Sequence, residues 1–316
     1  MLFYFKLFNV ILCSKFFNFV IYIIELIKIS NYKMESTSSK RNYCIAIDGS
    51  QFSDWAFDLV LEELYQKGDK ITVVHITNST KSSEIPFAFQ PQTIISKYDA
   101  KLTGRLASCD FTIIKKEKDP KSVHALLDVN QIAVANNCSV LVLGFYGHKA
   151  VKNELTKGLS YVIDNIRLPV IVVKENNKRK NKDSGAFTWM TSIEEPNTRS
   201  VKAFQFALNY IDITKDKVIG THIKLFSDTI ANDVKEYFEK ACQDSNVTNH
   251  SFAIIDRERN SDIGGQLSNF VNYNDTDSID FCVLGHNPSK YTKDKVSVSP
   301  LTTVIKSAKS NILFFC

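Results

Sequence analysis

Asp69-Lys-Ile-Thr-Val-Val-His-Ile-Thr77 and Asp216-Lys-Val-Ile-Gly-Thr-His-Ile-Lys224 read as two copies of one segment, 147 positions apart. At the same offset Ser53 meets Ser200, Ala56 meets Ala203, Phe57 meets Phe204 and Asp48 meets Glu195. Further along the offset becomes 141: Val142-Leu-Gly144 lies over Val283-Leu-Gly285, and Ile171-Val-Val173 over Ile312-Leu-Phe314. Two offsets, each holding over its own block, mark a tandem duplication.

Each copy alternates short apolar runs with amphipathic stretches. In the first, 43–47, 71–76, 111–115, 140–143 and 170–173 read as strands, with helices over 54–64, 123–135 and 160–166. The second follows with strands near 187–191, 218–223, 252–255, 281–284 and 312–315. The runs are continuous rather than alternating, as in parallel strands covered on both faces by helices. The expected fold class is α/β: two tandem doubly wound, Rossmann-like parallel sheets of five strands, each in the order 3-2-1-4-5.

A chain of 316 residues, 44% apolar and 23% charged, suits two domains and is neither disordered nor collagen-like. Seven scattered cysteines with no C-x-x-C pair exclude a zinc knuckle or a disulfide framework and suggest a reducing, cytoplasmic setting. Of the net charge of +5, +4 falls in 174–182, where Lys174, Lys178, Arg179, Lys180 and Lys182 face only Glu175. A solvated interdomain linker over 175–185 is preferred to a nucleic-acid or localisation patch. Residues 1–33 form an apolar leader, interrupted by Asn18 and Glu25 within its longest run. It reads as a start-site extension, a targeting segment or a membrane anchor; only as an anchor would it place the protein at a membrane. The expected domains are therefore 34–174 and 186–316.

In open α/β sheets ligands bind beyond the carboxyl ends of the strands, where the winding reverses. Here that point lies between the strand ending Ile47-Asp48-Gly49-Ser50 and the one ending Gly144-Phe-Tyr-Gly147. A carboxylate and a two-glycine loop would share one crevice, with Gly158-Leu-Ser160 opening a helix beyond it. Glycine lets backbone N–H groups approach phosphate oxygens closely, and a helix N-terminus favours an anion. The plainer reading is that Gly144 begins a turn and that Asp48-Gly-Ser is a capping element.

Asp48 at the end of strand 1, the Val-Val-His-Ile76 strand, Gly144-x2-Gly147…Gly158-x-Ser160 and Leu-Pro169-Val-Ile-Val-Val-Lys174 together resemble the universal stress protein family. The likeness covers 42–174 and, more weakly, 186–316. It implies an adenine nucleotide, ATP, on Ala46 and Asp48 of strand 1, Ile76 of strand 2, and Gly144, Gly147, Gly158 and Ser160 around the phosphates, with no metal expected. Two departures stand out. Ten residues rather than nine separate Gly147 from Gly158, and Leu159 occupies the place of the family's hydroxyl residue. In the second copy Pro288 replaces the second glycine, Ser299-Pro-Leu replaces Gly158-Leu-Ser and Glu195 replaces Asp48, so that half is expected to keep the fold without the nucleotide.

No catalytic constellation is evident: the six histidines are isolated, and G-x-S-x-G, H-E-x-x-H and Walker A motifs are absent. At most slow ATP hydrolysis is expected. His75 and His222 fall at matching strand positions and read as structural. Two functions remain, an ATP-binding stress or signalling module read by a protein partner, and a nucleotide-free scaffold. In either, the apolar fifth strands are expected to meet within one chain as an internal pseudo-dimer, since exposed edges invite aggregation.

Overall fold

A computed structural model describes residues 40–78, 86–105, 110–147, 155–196, 198–224, 228–258, 261–274, 278–287 and 299–315. The apolar leader lies outside them. Among the described residues no helix is long and apolar enough to cross a membrane. The described residues from Arg41 onward form one compact unit.

The first half runs β1 (Asn42–Ala46), α1 (Gln51–Leu59, prolonged by a π turn over Val60–Leu64), β2 (Lys70–Thr77), α2 (Pro91–Arg105) and β3 (Asp110–Glu117). It continues with α3 (Ala125–Ala135), β4 (Val140–Gly144), α4 (Lys157–Asn165) and β5 (Val170–Val173). The second half repeats this as β6 (Thr188–Ser192), α5 (Arg199–Leu208), β7 (Lys217–Lys224), α6 (Asp228–Asp244) and β8 (His250–Asp256). It ends with α7 (Ile263–Tyr273), β9 (Phe281–Gly285), α8 (Pro300–Ser307) and β10 (Asn311–Phe315).

Within each half the strands are parallel and follow the expected 3-2-1-4-5 order. The two tandem sheets are one: the fifth strands meet within the chain as expected, β5 and β10 pairing antiparallel with Ile312 opposite Val172 and Phe314 opposite Val170, so that the ten strands form a single sheet. All four residues of β5 are buried. An apolar strand of that kind left at an edge would leave main-chain donors and acceptors unpaired, and the junction satisfies them. The outer strands, β3 and β8, are instead half-exposed and carry charges such as Lys115, Lys116 and Asp256. Two apolar layers, one on each face, run through both halves.

Three cations of the basic stretch after β5 are anchored to carboxylates, while Lys180 stays exposed. Arg179 pairs with Asp216 at 2.6 Å and lies 4.2 Å above the Phe187 ring; Lys178 reaches Glu62 at 2.8 Å, and Lys182 reaches Asp280. Asp216 and Asp280 are buried at the starts of β7 and β9, and a buried carboxylate requires a counter-charge. The cations are therefore held as a strap across the fold. Just before it, the Lys174 ammonium donates to the carbonyls of Ile305 and Ala308 at the end of α8, and burial draws its pKa down to about 8.

Candidate functional site

The first crevice opens at the carboxyl ends of β1, β2 and β4 and has a volume of about 360 Å³. Its walls are apolar for a local reason: Ala46, Val74, Ile76 and Leu143 lie toward the carboxyl ends of their strands and line it together with Val129 of α3. His75 sets the rim of β1, its Nδ1–H donating to the Ile47 carbonyl at 2.9 Å. His222 does the same to Ile193 at 2.9 Å, so both histidines fasten strand ends.

After Ile47 the chain turns sharply. Gly49 sits at φ +81°, a region that favours glycine, and Ser50 caps α1 by accepting from the Ser53 N–H at 3.2 Å. The Ser50 N–H returns a bond to Asp48 Oδ1 at 3.0 Å, and the Ser50 hydroxyl donates to the Tyr146 carbonyl at 3.2 Å. Strand ends β1 and β4 are thereby joined. The result is a convergence: a Cβ placed on Gly147 would stand 2.7 Å from Asp48 Oδ2. Carboxylate and glycine face the same space.

The two glycines of the loop have different duties. At Gly144 a Cβ would lie 2.6 Å from the Phe52 main-chain carbon, so this glycine lets α1 pack on β4. Gly285 repeats that contact, 2.2 Å from the Ser200 nitrogen, which explains its retention in the second half. Gly147 is the one whose missing side chain opens toward the crevice.

Ala46, Asp48, Ile76, Gly144 and Gly147 all line the crevice; Gly158 and Ser160 do not. Thr156 and Leu159 line it instead. Thr156 is the N-cap of α4, accepting from the Leu159 N–H at 3.2 Å through its hydroxyl and from the Ser160 N–H at 2.9 Å through its carbonyl. Gly158 packs α4 against Leu126 of α3. The cap was readable as a threonine just ahead of an apolar-periodic stretch, a helix-start signal. Lys149 and Lys152 lie outside the described residues, among which no group of three or more His, Cys, Asp or Glu could hold a metal.

The second half keeps a crevice of about 400 Å³ in the equivalent place, at the ends of β6, β7 and β9. Ile193 donates to the Thr221 carbonyl as Ile47 does to Val74, so Glu194 rather than Glu195 follows it as Asp48 follows Ile47. The register differs by one residue before α5. Ser299 caps α8 where Thr156 caps α4, and His286 stands where the first half has Phe145.

His286 is buried, and burial first, then the neighbouring Arg199 and Arg167 cations, lower its pKa from 6.5 to about 4. The folded value lies below the unfolded one, so the unfolded chain takes up the proton first as pH falls. The neutral imidazole's stabilisation is complete above about pH 6.5 and is lost progressively toward pH 4, up to about 3 kcal/mol. His286→Phe should flatten this part of the profile. Urea unfolding of both proteins at stepped pH checks it, and parallel curves would refute the assignment.

The sequence profile of the universal stress protein family matches residues 41–174. Among solved structures, a candidate universal stress protein from Pseudomonas aeruginosa superposes with a TM-score of 0.59 at 12% identity, covering 88% of this chain and 94% of its own. A universal stress protein from Archaeoglobus fulgidus superposes at 0.58 and 12% identity, covering 87% and 95%. At that identity the likeness is one of fold, and it extends through both halves. No curated protein sequence matches the chain.

Proposed function

Residues 41–174 are a universal stress protein domain, and we propose that its crevice binds an adenine nucleotide, ATP among them. The observation that carries this reading is the meeting of Asp48 and Gly147 across the ends of β1 and β4. The Asp48 carboxylate would accept from an adenine amino group or a ribose hydroxyl, between the apolar side chains of Ala46 and Ile76. The phosphates would lie along Gly147 toward the N-terminus of α4, where Thr156 supplies a hydroxyl at the crevice, while Gly158 and Ser160 lie outside its lining. The domain would act in the cytoplasm as a stress or signalling module, its changed loop surface read by a protein partner.

Calorimetry of residues 34–316 with ATP, ADP and AMP tests the site. Gly147→Val should remove measurable heat for all three, because branched carbons would fill the space between Gly147 and Asp48. The variant should still fold, since the displaced atom is the end of a side chain rather than backbone. Nucleotide binding to Gly147→Val as tight as to the parent would refute the assignment. For the partner-facing surface, ATP should slow tryptic cleavage between Lys149 and Lys157.

A second reading, a scaffold that binds no nucleotide, draws support from the buried Leu159 at the place of the family's hydroxyl residue. Absence of heat with the unmodified protein would favour it.

A further inference from the structure

The second half, expected to keep the fold without the nucleotide, has a crevice as large as the first and of a different chemistry. Where the first turn of α1 carries the aromatic Phe52, packed against Tyr146 and Trp55, the first turn of α5 carries Arg199. Ala46 gives way to Ser192, Phe145 to His286 and Tyr146 to Asn287. These are coordinated changes from apolar to polar at one end of the cavity. The lining also has an apolar part, with Ile223 of β7, Ile230 of α6, and Ile263 and Leu267 of α7.

Arg199 is the decisive group. Among the described residues its one hydrogen bond is from Nη1 to the His286 carbonyl at 2.8 Å, which leaves Nε and Nη2 for another acceptor. A guanidinium is always charged and suited to a planar, two-oxygen anion. His286 supplies no competing charge at neutral pH, since burial keeps it neutral. Glu194 and Glu195 also line the cavity, but both are exposed, whereas Arg199 is half-buried. Water screens the exposed carboxylates more strongly. The volume of about 400 Å³ lies within the range of small-ligand sites.

We infer that the second crevice is a separate ligand site for an amphipathic organic monoanion, its carboxylate on Arg199 and its apolar body against Ile223, Ile230, Ile263 and Leu267. The inference is independent of the nucleotide reading of the first half. It assigns the duplicated domain a ligand of a different class.

Titration calorimetry of the full chain with octanoate, and with octan-1-ol as the uncharged analogue, tests it. Octanoate should bind with one equivalent per chain. Arg199→Gln should weaken octanoate by about tenfold or more, the worth of a hydrogen bond to a charged group, and leave octan-1-ol unchanged. Arg199→Lys should recover part of the loss, and thermal melts of each variant report whether the fold is intact. Gly147→Val should leave octanoate binding untouched. No octanoate binding, equal binding by Arg199→Gln, or loss of binding in Gly147→Val would each overturn the proposal, the last by moving the ligand to the first crevice.

Discussion

Asp216→Ala should destabilise the protein by about 3–5 kcal/mol, the usual effect of removing one member of a buried ion pair. The Asp216 side chain is fully buried and gathers five donors. These are the N–H groups of Phe187 at 2.9 Å and Asp212 at 3.0 Å, the Trp189 indole at 3.0 Å, and Arg179 through Nε at 3.1 Å and Nη2 at 2.6 Å. Alanine would leave those donors and the guanidinium without their acceptor. Asp216→Asn should lose less, because an amide oxygen still accepts from part of the set. Arg179→Met should also lose stability, because the carboxylate would then be buried without its cation. Urea midpoints for the three variants check this, and an Asp216→Ala midpoint equal to that of the parent would remove the strap from any part in stability. The first half meets the same need locally. Its Asp69 accepts from the Gln66 N–H and from Arg41, through the main-chain N–H and the guanidinium, at 2.7–2.9 Å. The two copies therefore share a carboxylate and differ in where its cation comes from.

The second large effect is expected at the packing glycines. A Cβ on Gly285 would come within 2.2 Å of the Ser200 nitrogen and 2.4 Å of the Arg199 carbonyl carbon, both main-chain atoms that move only with α5. Gly285→Ala should therefore exceed the about 1–3 kcal/mol typical of overpacked cores. Gly144→Ala, with its nearest atom at 2.6 Å, should be somewhat milder. Gly104→Ala is the control: nothing lies within 4 Å, the position is helical, and about 0.5–1 kcal/mol of stabilisation is expected. Chemical denaturation of the three variants gives the order. A Gly285→Ala protein as stable as the parent would show that the β9–α5 contact is looser than described.

Much of this was legible in the chain because it is local. The strand read over 170–173 is β5, and the strand read over 140–143 is β4 without its final glycine, since a continuous apolar run bounded by turns has few alternatives. The helix read over 54–64 begins three residues earlier, at Gln51, because Ser50 caps it, and cap geometry is hard to place from composition. Five of the seven candidate site residues line the first crevice, all of them at strand ends or in the loops directly after. Gly158 and Ser160 fall outside because the cap at Thr156 sets the phase of α4, turning Leu159 inward.

From the amino-acid order alone came the duplication, the alternation of strands and helices and the winding within each half. Each of these is written in periodicity and repeated over enough residues to outvote local ambiguity. Tertiary structure decided what depends on partners far away in the chain. It set the antiparallel register in which the fifth strands, β5 and β10, meet, and it turned a basic run into a strap by burying Asp216 and Asp280 beneath it. It also distinguished a glycine that admits a helix, Gly144, from one that opens onto a crevice, Gly147. A missing side chain looks the same in every glycine; only the atoms that come to stand around it say why it is missing.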